Sequence, residues 1–169
     1  MIINTDRNFV FLAHAHTASR AVSDALAKLS GSEFVFPHHA PISLIQDKFR
    51  HVDFDKMLKF TTVRHPGDWI VTRWLCRGGR HIDFSPFIRE QKRHIFYRYL
   101  GQADTVVHYE NLEFEVSDLL GIPIKLDRNP EHVTKDKADW QSYWSREDAE
   151  WANNYFEDFT RYAYDLIPV

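Results

Sequence analysis

Apolar residues along this chain come in short runs whose spacing changes from one run to the next. Residues 8–14 (NFVFLAH) form an almost unbroken apolar stretch of strand length. It passes through AHTAS into RAVSDALAKL, where Ala21, Ala25 and Leu29 fall four apart. The pattern predicts strand, loop, helix. Residues 33–37 (EFVFP) predict a second strand, and Pro41 is placed to open a helix running through ISLIQDKF. Residues 57–63 (MLKFTTV) predict another strand, after which Pro66 opens DWIVTRWLCR with Ile70 and Trp74 on one helical face. Further along, 84–100 reads as helix and 105–109 (TVVHY) as strand, and 113–120 reads as a short helix stopped by Gly121.

Strands alternating with helices predict an α/β protein with a central parallel sheet flanked by helices, and ligands then sit beyond the carboxyl ends of the strands. The loops after His14 and Val63 are the places to search. Residues 121–144 carry few structural signals and read as an irregular segment over part of the sheet. Ser145-Arg-Glu-Asp148 has the form of a capping box, opening a helix with Trp151, Tyr155, Phe159, Tyr162 and Leu166 as its buried stripe. No repeat or low-complexity tract interrupts the pattern, so residues 1–169 are expected to form one domain.

Composition narrows the partners. The chain is 44% hydrophobic and 27% charged, enough for a core without metals or disulfides. Its 21 Lys and Arg against 24 Asp and Glu leave a net charge of −3, so any polyanion must be met by a local cluster, and nucleic acid is not expected. The one cysteine, Cys76, has no intramolecular partner. The opening MIINTDRNFVFLAHA lacks the form of a signal peptide, and no stretch approaches the roughly 20 apolar residues of a membrane span. The expectation is a cytoplasmic protein with no membrane span.

A strand that ends in small and hydroxyl residues and runs into a helix is a natural anion site, because the first N–H groups of the helix lack partners and its dipole favours negative charge. Residues 15–21 (AHTASRA) fit. Thr17 and Ser19 offer hydroxyls, while His16 and Arg20 offer positive charge to a phosphate or sulfate. The Walker pattern G-x-x-x-x-G-K-[ST] is absent, and no glycine precedes Gly31, which disfavours a P-loop nucleotide hydrolase. A second element is TTVRHPGDWIVTRW, where Arg64 can fork onto a phosphate and Thr72 can donate a hydroxyl. Each segment also reads as an ordinary helix start after a core strand.

These segments resemble a known family, the sulfotransferases that use 3′-phosphoadenosine 5′-phosphosulfate. FLAHAHTASRAVSDAL resembles the family's 5′-phosphosulfate loop, written PKTGSTS or PKTAGTS between strand and helix. FTTVRHPGDWIVTRW resembles its 3′-phosphate element, R-x-P followed by a helix carrying a serine. HYENL at 108–112 is similar to the family's Y-E-D-L segment, Asn129 lies where many members have an asparagine near the nucleotide, and FTRYAYDL resembles the terminal D-x-x-x-x-G-Y. The resemblance implies a P-loop-NTPase-like sulfotransferase fold and a donor held by His16, Thr17, Ala18, Ser19, Arg20, Ala21, Arg64, Thr72 and Asn129. It puts His16 where the family has its catalytic lysine, Ser19 where it has glycine, and Arg20 and Ala21 where it has Thr and Ser.

Ten histidines raise the question of a metal, but there is no H-E-x-x-H and no paired CxxC, and none is expected. PHHAP resembles instead the place where several sulfotransferases carry the histidine that takes the acceptor proton. His39 is the first choice for that base and His38 the second, the two projecting to opposite sides if the segment is extended. The acceptor is expected to be a hydroxyl or amine on a small molecule or glycan. Trp69, Trp74, Trp140 and Trp144 could stack on it, and the basic stretch Arg77, Arg80, Arg89, Lys92 and Arg93 could attract an acidic one. The rival readings are a non-catalytic nucleotide-binding member of the same fold and a nucleotide kinase-like enzyme.

Overall fold

The computed structural model of the chain describes residues 1–79, 81–91, 99–127, 134, 137–155 and 164–168. These residues form strands β1 (Ile2–Asn4), β2 (Phe9–Leu12), β3 (Ser32–Phe34), β4 (Leu58–Val63) and β5 (Thr105–His108). Their helices are α1 (Ser19–Leu26), α2 (Ile42–Ile45), α3 (Pro66–Cys76), α4 (Phe84–Arg89), α5 (Leu112–Leu120) and α6 (Arg146–Tyr155). Two compact units make up the chain, Met1–Val63 with Tyr97–Pro130 and Arg64–Phe96 with Glu131–Val169.

The first unit holds the sheet, in the order β3-β1-β2-β4-β5. β2, β4 and β5 run parallel, with Phe11 beside Phe60 and Val63 beside His108, while β1 is antiparallel to both β2 and β3. The sheet is therefore mixed, which corrects the expectation of a parallel one. The cause is the turn at residues 5–8. The Asn4 side-chain oxygen accepts the Arg7 N–H at 2.7 Å, and Asn8 takes a left-handed φ of 55°, so the chain doubles back and pairs Ile2 with Phe11.

Alternation along the strands divides the core of this unit between the two faces of the sheet. Ile2, Phe9, Phe11 and Phe60 pack with Val22 and Leu26 of α1 and with Leu112 and Val116 of α5. Ile3, Val10 and Leu12 point the other way, onto Ile42 and Ile45 of α2 and onto Phe49, Phe54 and Met57. Phe9, Phe11 and Phe60 are fully buried, each contributing about 1.5–3 kcal/mol by its removal from water. α5 stops at Gly121, whose φ of 63° is the left-handed cap that its sequence predicts. The helix expected from Pro41 is a single turn, and the chain then continues in turns to Phe49.

In the second unit α3 starts with Pro66 in its first turn and is capped by the His65 ring, whose Nδ1 accepts the Gly67 N–H at 3.1 Å. α3 packs on α4 and on the 3₁₀ turn Trp140–Tyr143, and α4 packs on α6. The N-cap half of the expected capping box forms, the Ser145 hydroxyl accepting the Asp148 N–H at 3.1 Å, while the Asp148 carboxylate takes that same hydroxyl at 2.8 Å. The buried side of α6 is Asp148, Ala149 and Ala152 rather than the expected aromatic stripe. Small side chains let α4 approach, and the buried Asp148 takes hydrogen bonds from Ser85 and Arg89 across that contact. Trp151 and Tyr155 stack on each other half-buried, and Leu166 is 51% exposed beside a buried Ile167. Phe159 and Tyr162 lie outside the described residues, as do positions 92–98 of the expected 84–100 helix, of which Phe84–Arg89 is helical. No helix among the described residues is long and apolar enough to cross a membrane.

Candidate functional site

In the first unit the loop between β2 and α1 has an unusual backbone. His16 and Ala18 both take left-handed φ angles, 64° and 56°, on either side of Thr17. Backbone of alternating hand turns successive N–H groups to one side, an arrangement suited to anions. Ala18 is the N-cap of α1 and brings no side-chain hydrogen bond to it, so the first-turn N–H groups of Ser19 and its neighbours get none of the usual capping from Ala18. The loop is tied down from inside. The Thr17 hydroxyl donates to the His14 carbonyl at 2.7 Å and meets the Thr62 hydroxyl, and Thr61 bonds the Leu12 carbonyl at 2.6 Å. Thr17 is wholly buried, its hydroxyl spent within the fold. Ser19 is buried, His16, Ala18 and Ala21 are half-buried, and Arg20 is exposed.

Both candidate bases sit near this loop within the same unit. Residues 37–40 form a turn, closed by the Ala40 N–H on the Pro37 carbonyl at 2.9 Å, so the segment is not extended and the two rings touch at 4.7 Å. That corrects the expectation of opposite projection. His39 is exposed, and its Nδ1 lies 2.6 Å from the Ala13 carbonyl at the root of the loop. A carbonyl only accepts, so Nδ1 carries the hydrogen in this bond. The Tyr99 hydroxyl holds the His39 carbonyl from the other side. His38 is different: its ring stacks on Phe34, and its Nε2 is buried without a partner among the described residues. Burial above all, then the positive groups at Met1, His39 and Arg20, push the imidazolium down to about 4, so His38 is neutral near pH 7.

The second unit gathers charge. Arg64, directly after β4, donates from Nε to the Asp68 carboxylate at 2.5 Å. The other oxygen of Asp68 takes the Lys137 ammonium, and Lys137 also reaches the Thr72 hydroxyl at 3.0 Å. Arg64 and Thr72, paired in the sequence reading, are therefore joined in one network by two residues that reading did not single out. α3 supplies Asp68 and Thr72 one turn apart on one face. Lys137 arrives through the segment anchored at Trp140, whose ring stacks on His65 at 4.3 Å and covers Gly67. A Cβ at Gly67 would stand 2.5 Å from that ring, so glycine is what lets Trp140 settle there. Burial and Arg64 push the Lys137 ammonium down to about 7, with Asp139 opposing. Lys137 lies in KDKADW, a stretch without periodicity, and the one local hint was its lysines.

Other candidates take structural places. Trp69 is buried, Trp74 and Trp144 pack on Phe84, and Arg89 pairs with Glu147 and Asp148. Arg77 is exposed, while Arg80, Lys92, Arg93 and Asn129 lie outside the described residues. Among the described residues no three His, Cys, Asp or Glu side chains come together as metal ligands. Comparison with known proteins gives no match to any family model, curated protein or solved structure.

Proposed function

We propose that this chain is a sulfotransferase of P-loop-like α/β fold, moving a sulfuryl group from 3′-phosphoadenosine 5′-phosphosulfate to a hydroxyl or amine of a small-molecule or glycan acceptor. The observation that carries the reading is the bond from His39 Nδ1 to the Ala13 carbonyl. It holds the His39 ring by its Nδ1 hydrogen at the root of a loop whose backbone is arranged for an anion, and leaves Nε2 as the nitrogen to meet the acceptor. In the reaction the acceptor oxygen or nitrogen attacks sulfur as its proton passes to His39 Nε2. The bond from sulfur to the bridging oxygen breaks, and its electron pair leaves on the 5′-phosphate of the product, 3′-phosphoadenosine 5′-phosphate. The loop N–H groups, with His16 and Arg20, offset charge on that leaving phosphate. Arg64 and Thr72 are assigned to the 3′-phosphate by the resemblance of their segment and by their shared network.

A second reading, a nucleotide-binding module without transfer, is favoured by the Thr17 hydroxyl being spent on His14 and Thr62 and by His16 standing where the resembled family has lysine. Calorimetry with 3′-phosphoadenosine 5′-phosphate against ATP with magnesium tests both against the kinase-like alternative. The bisphosphate should bind and ATP should not displace it; preference for ATP would overturn sulfotransfer. With an acceptor found by screening sugars, phenols and amines with labelled donor, His39→Ala should slow transfer about 10²–10⁴-fold at unchanged bisphosphate affinity. Tight binding with no acceptor found would favour the binding module.

A further inference from the structure

In the second unit one ring, that of His65, meets three stretches of chain. Its Nδ1 accepts the Gly67 N–H at 3.1 Å and caps α3, and its Nε2 lies 3.1 Å from the Asp165 carbonyl. Its face stacks on Trp140 at 4.3 Å, with the Tyr164 ring edge-on at 5.4 Å. The two bonds together fix its protonation. An N–H only donates, so Nδ1 keeps its lone pair; a carbonyl only accepts, so Nε2 carries the hydrogen. Neutral histidine alone fits both. A proton added at Nδ1 would face the Gly67 N–H, donor against donor, and would set a positive charge at the positive end of the α3 dipole, next to Arg64. A charged ring is still attracted to the Trp140 face, but that attraction does not restore the lost acceptor. Among the described residues the other titratable groups on the elements around the ring are Asp68 in the first turn of α3, Lys137 and Asp139 on the segment of Trp140, and Tyr164 and Asp165. Asp68 takes Arg64 and Lys137, Asp139 accepts the Gln141 N–H, and Asp165 meets the ring through its main chain.

We propose that His65 is a pH-sensitive clasp: while neutral it keeps Trp140 and residues 164–168 on the start of α3, and on taking up a proton at Nδ1 it lets go of both. The first release loosens the segment that brings Lys137 to the Thr72 hydroxyl. The second leaves residues 164–168 fastened by Asn153 of α6, which bonds the Ile167 N–H and carbonyl at 2.8 Å each. The clasp needs no assumption about a ligand or a reaction. A released histidine titrates near about 6.5, and the closed clasp holds the neutral ring. Closure is therefore fully favoured above that pH, and below it the closed-to-open ratio falls by up to about tenfold per unit.

The test is amide hydrogen exchange of the full chain, resolved by residue with NMR at about pH 7.5 and about pH 5.5 and corrected for the intrinsic pH dependence of exchange. Protection of three amides should fall about tenfold from the higher pH to the lower: Gly67, bonded to the ring, Ser142, in the turn that Trp140 opens, and Ile167, on the fastened segment. Val22 of α1, in the other unit, should keep its protection. His65→Asn offers the Gly67 N–H an acceptor that does not titrate, and its protection should not fall with pH. Equal protection of the wild type at both pH values overturns the clasp, as does an equal fall in His65→Asn or a fall shared by Val22. Should His65→Asn fail to fold, the ring nitrogen shifts of the wild type decide at about pH 7.5. Hydrogen on Nε2 with Nδ1 bare supports the clasp, and hydrogen on Nδ1 overturns it.

Discussion

The loop of the first unit and the ion cluster of the second hold out different things to an oxyanion. The loop offers backbone N–H groups, arranged by left-handed turns at His16 and Ala18, with imidazoles around it and one exposed arginine. Its polar side chains are spent on the fold, as the Thr17 bonds to His14 and Thr62 show. The cluster offers charged side chains whose separation and ionisation depend on one another through Asp68. Oriented dipoles need little solvation and lose little by waiting empty, whereas buried ions must be compensated before any ligand arrives. Substitutions should therefore damage the two regions in different ways, with folding and binding inseparable in the cluster and separable in the loop.

The largest effect belongs to the carboxylate that serves two cations. Asp68→Ala removes the carboxylate that Arg64 and Lys137 share, and should lower unfolding stability by about 3 kcal/mol, read as a shift of the urea midpoint. A loss under about 0.5 kcal/mol would mean that the cluster behaves like an exposed surface pair, and the contrast with the loop would collapse. Next comes Arg64→Ala. It should weaken 3′-phosphoadenosine 5′-phosphate by about 1.5–3 kcal/mol while leaving adenosine 5′-phosphosulfate, which has no 3′-phosphate, almost untouched. Equal losses for both would assign Arg64 to the fold alone.

The same contrast explains what could be read from sequence. A loop tied to its neighbours in the chain is legible: the strand, the small and hydroxyl residues and the helix stand in order within residues 8–29, and the Gly121 stop and Ser145 cap are equally local. The hairpin at 5–8 was local too, but three-residue strands carry too little periodicity to register, so the antiparallel β1 and the mixed sheet went unread. The cluster is legible only by halves. Arg64, Asp68 and Thr72 share one helix start, whereas Lys137 comes from 65 positions beyond Thr72, and nothing in KDKADW encodes that meeting. The burial of Thr17 could not be read either, because it depends on where β4 places Thr62.

The smallest expected effect probes the loop's backbone, where folding and binding should separate. Ala18 caps α1 with a φ of 56°, and a left-handed residue with a Cβ costs roughly 1–2 kcal/mol that glycine would not pay. Glycine in turn frees the unfolded chain, at a cost of about 0.5–1 kcal/mol. Ala18→Gly should accordingly stabilise the protein by about 0.5 kcal/mol, and Ala18→Val, with a branched Cβ in the same conformation, should destabilise it by more than 1 kcal/mol. Both signs follow if the strain is real. Ligand affinity answers the other half of the comparison: since Ala18 contributes backbone and no side-chain bond, bisphosphate binding by Ala18→Gly should stay within about twofold of wild type. A destabilised Ala18→Gly would mean that the turn is not strained at this residue. A stable Ala18→Gly with much weaker binding would mean that the loop needs the rigidity of its alanine, and that it too couples order to binding as the ion cluster does.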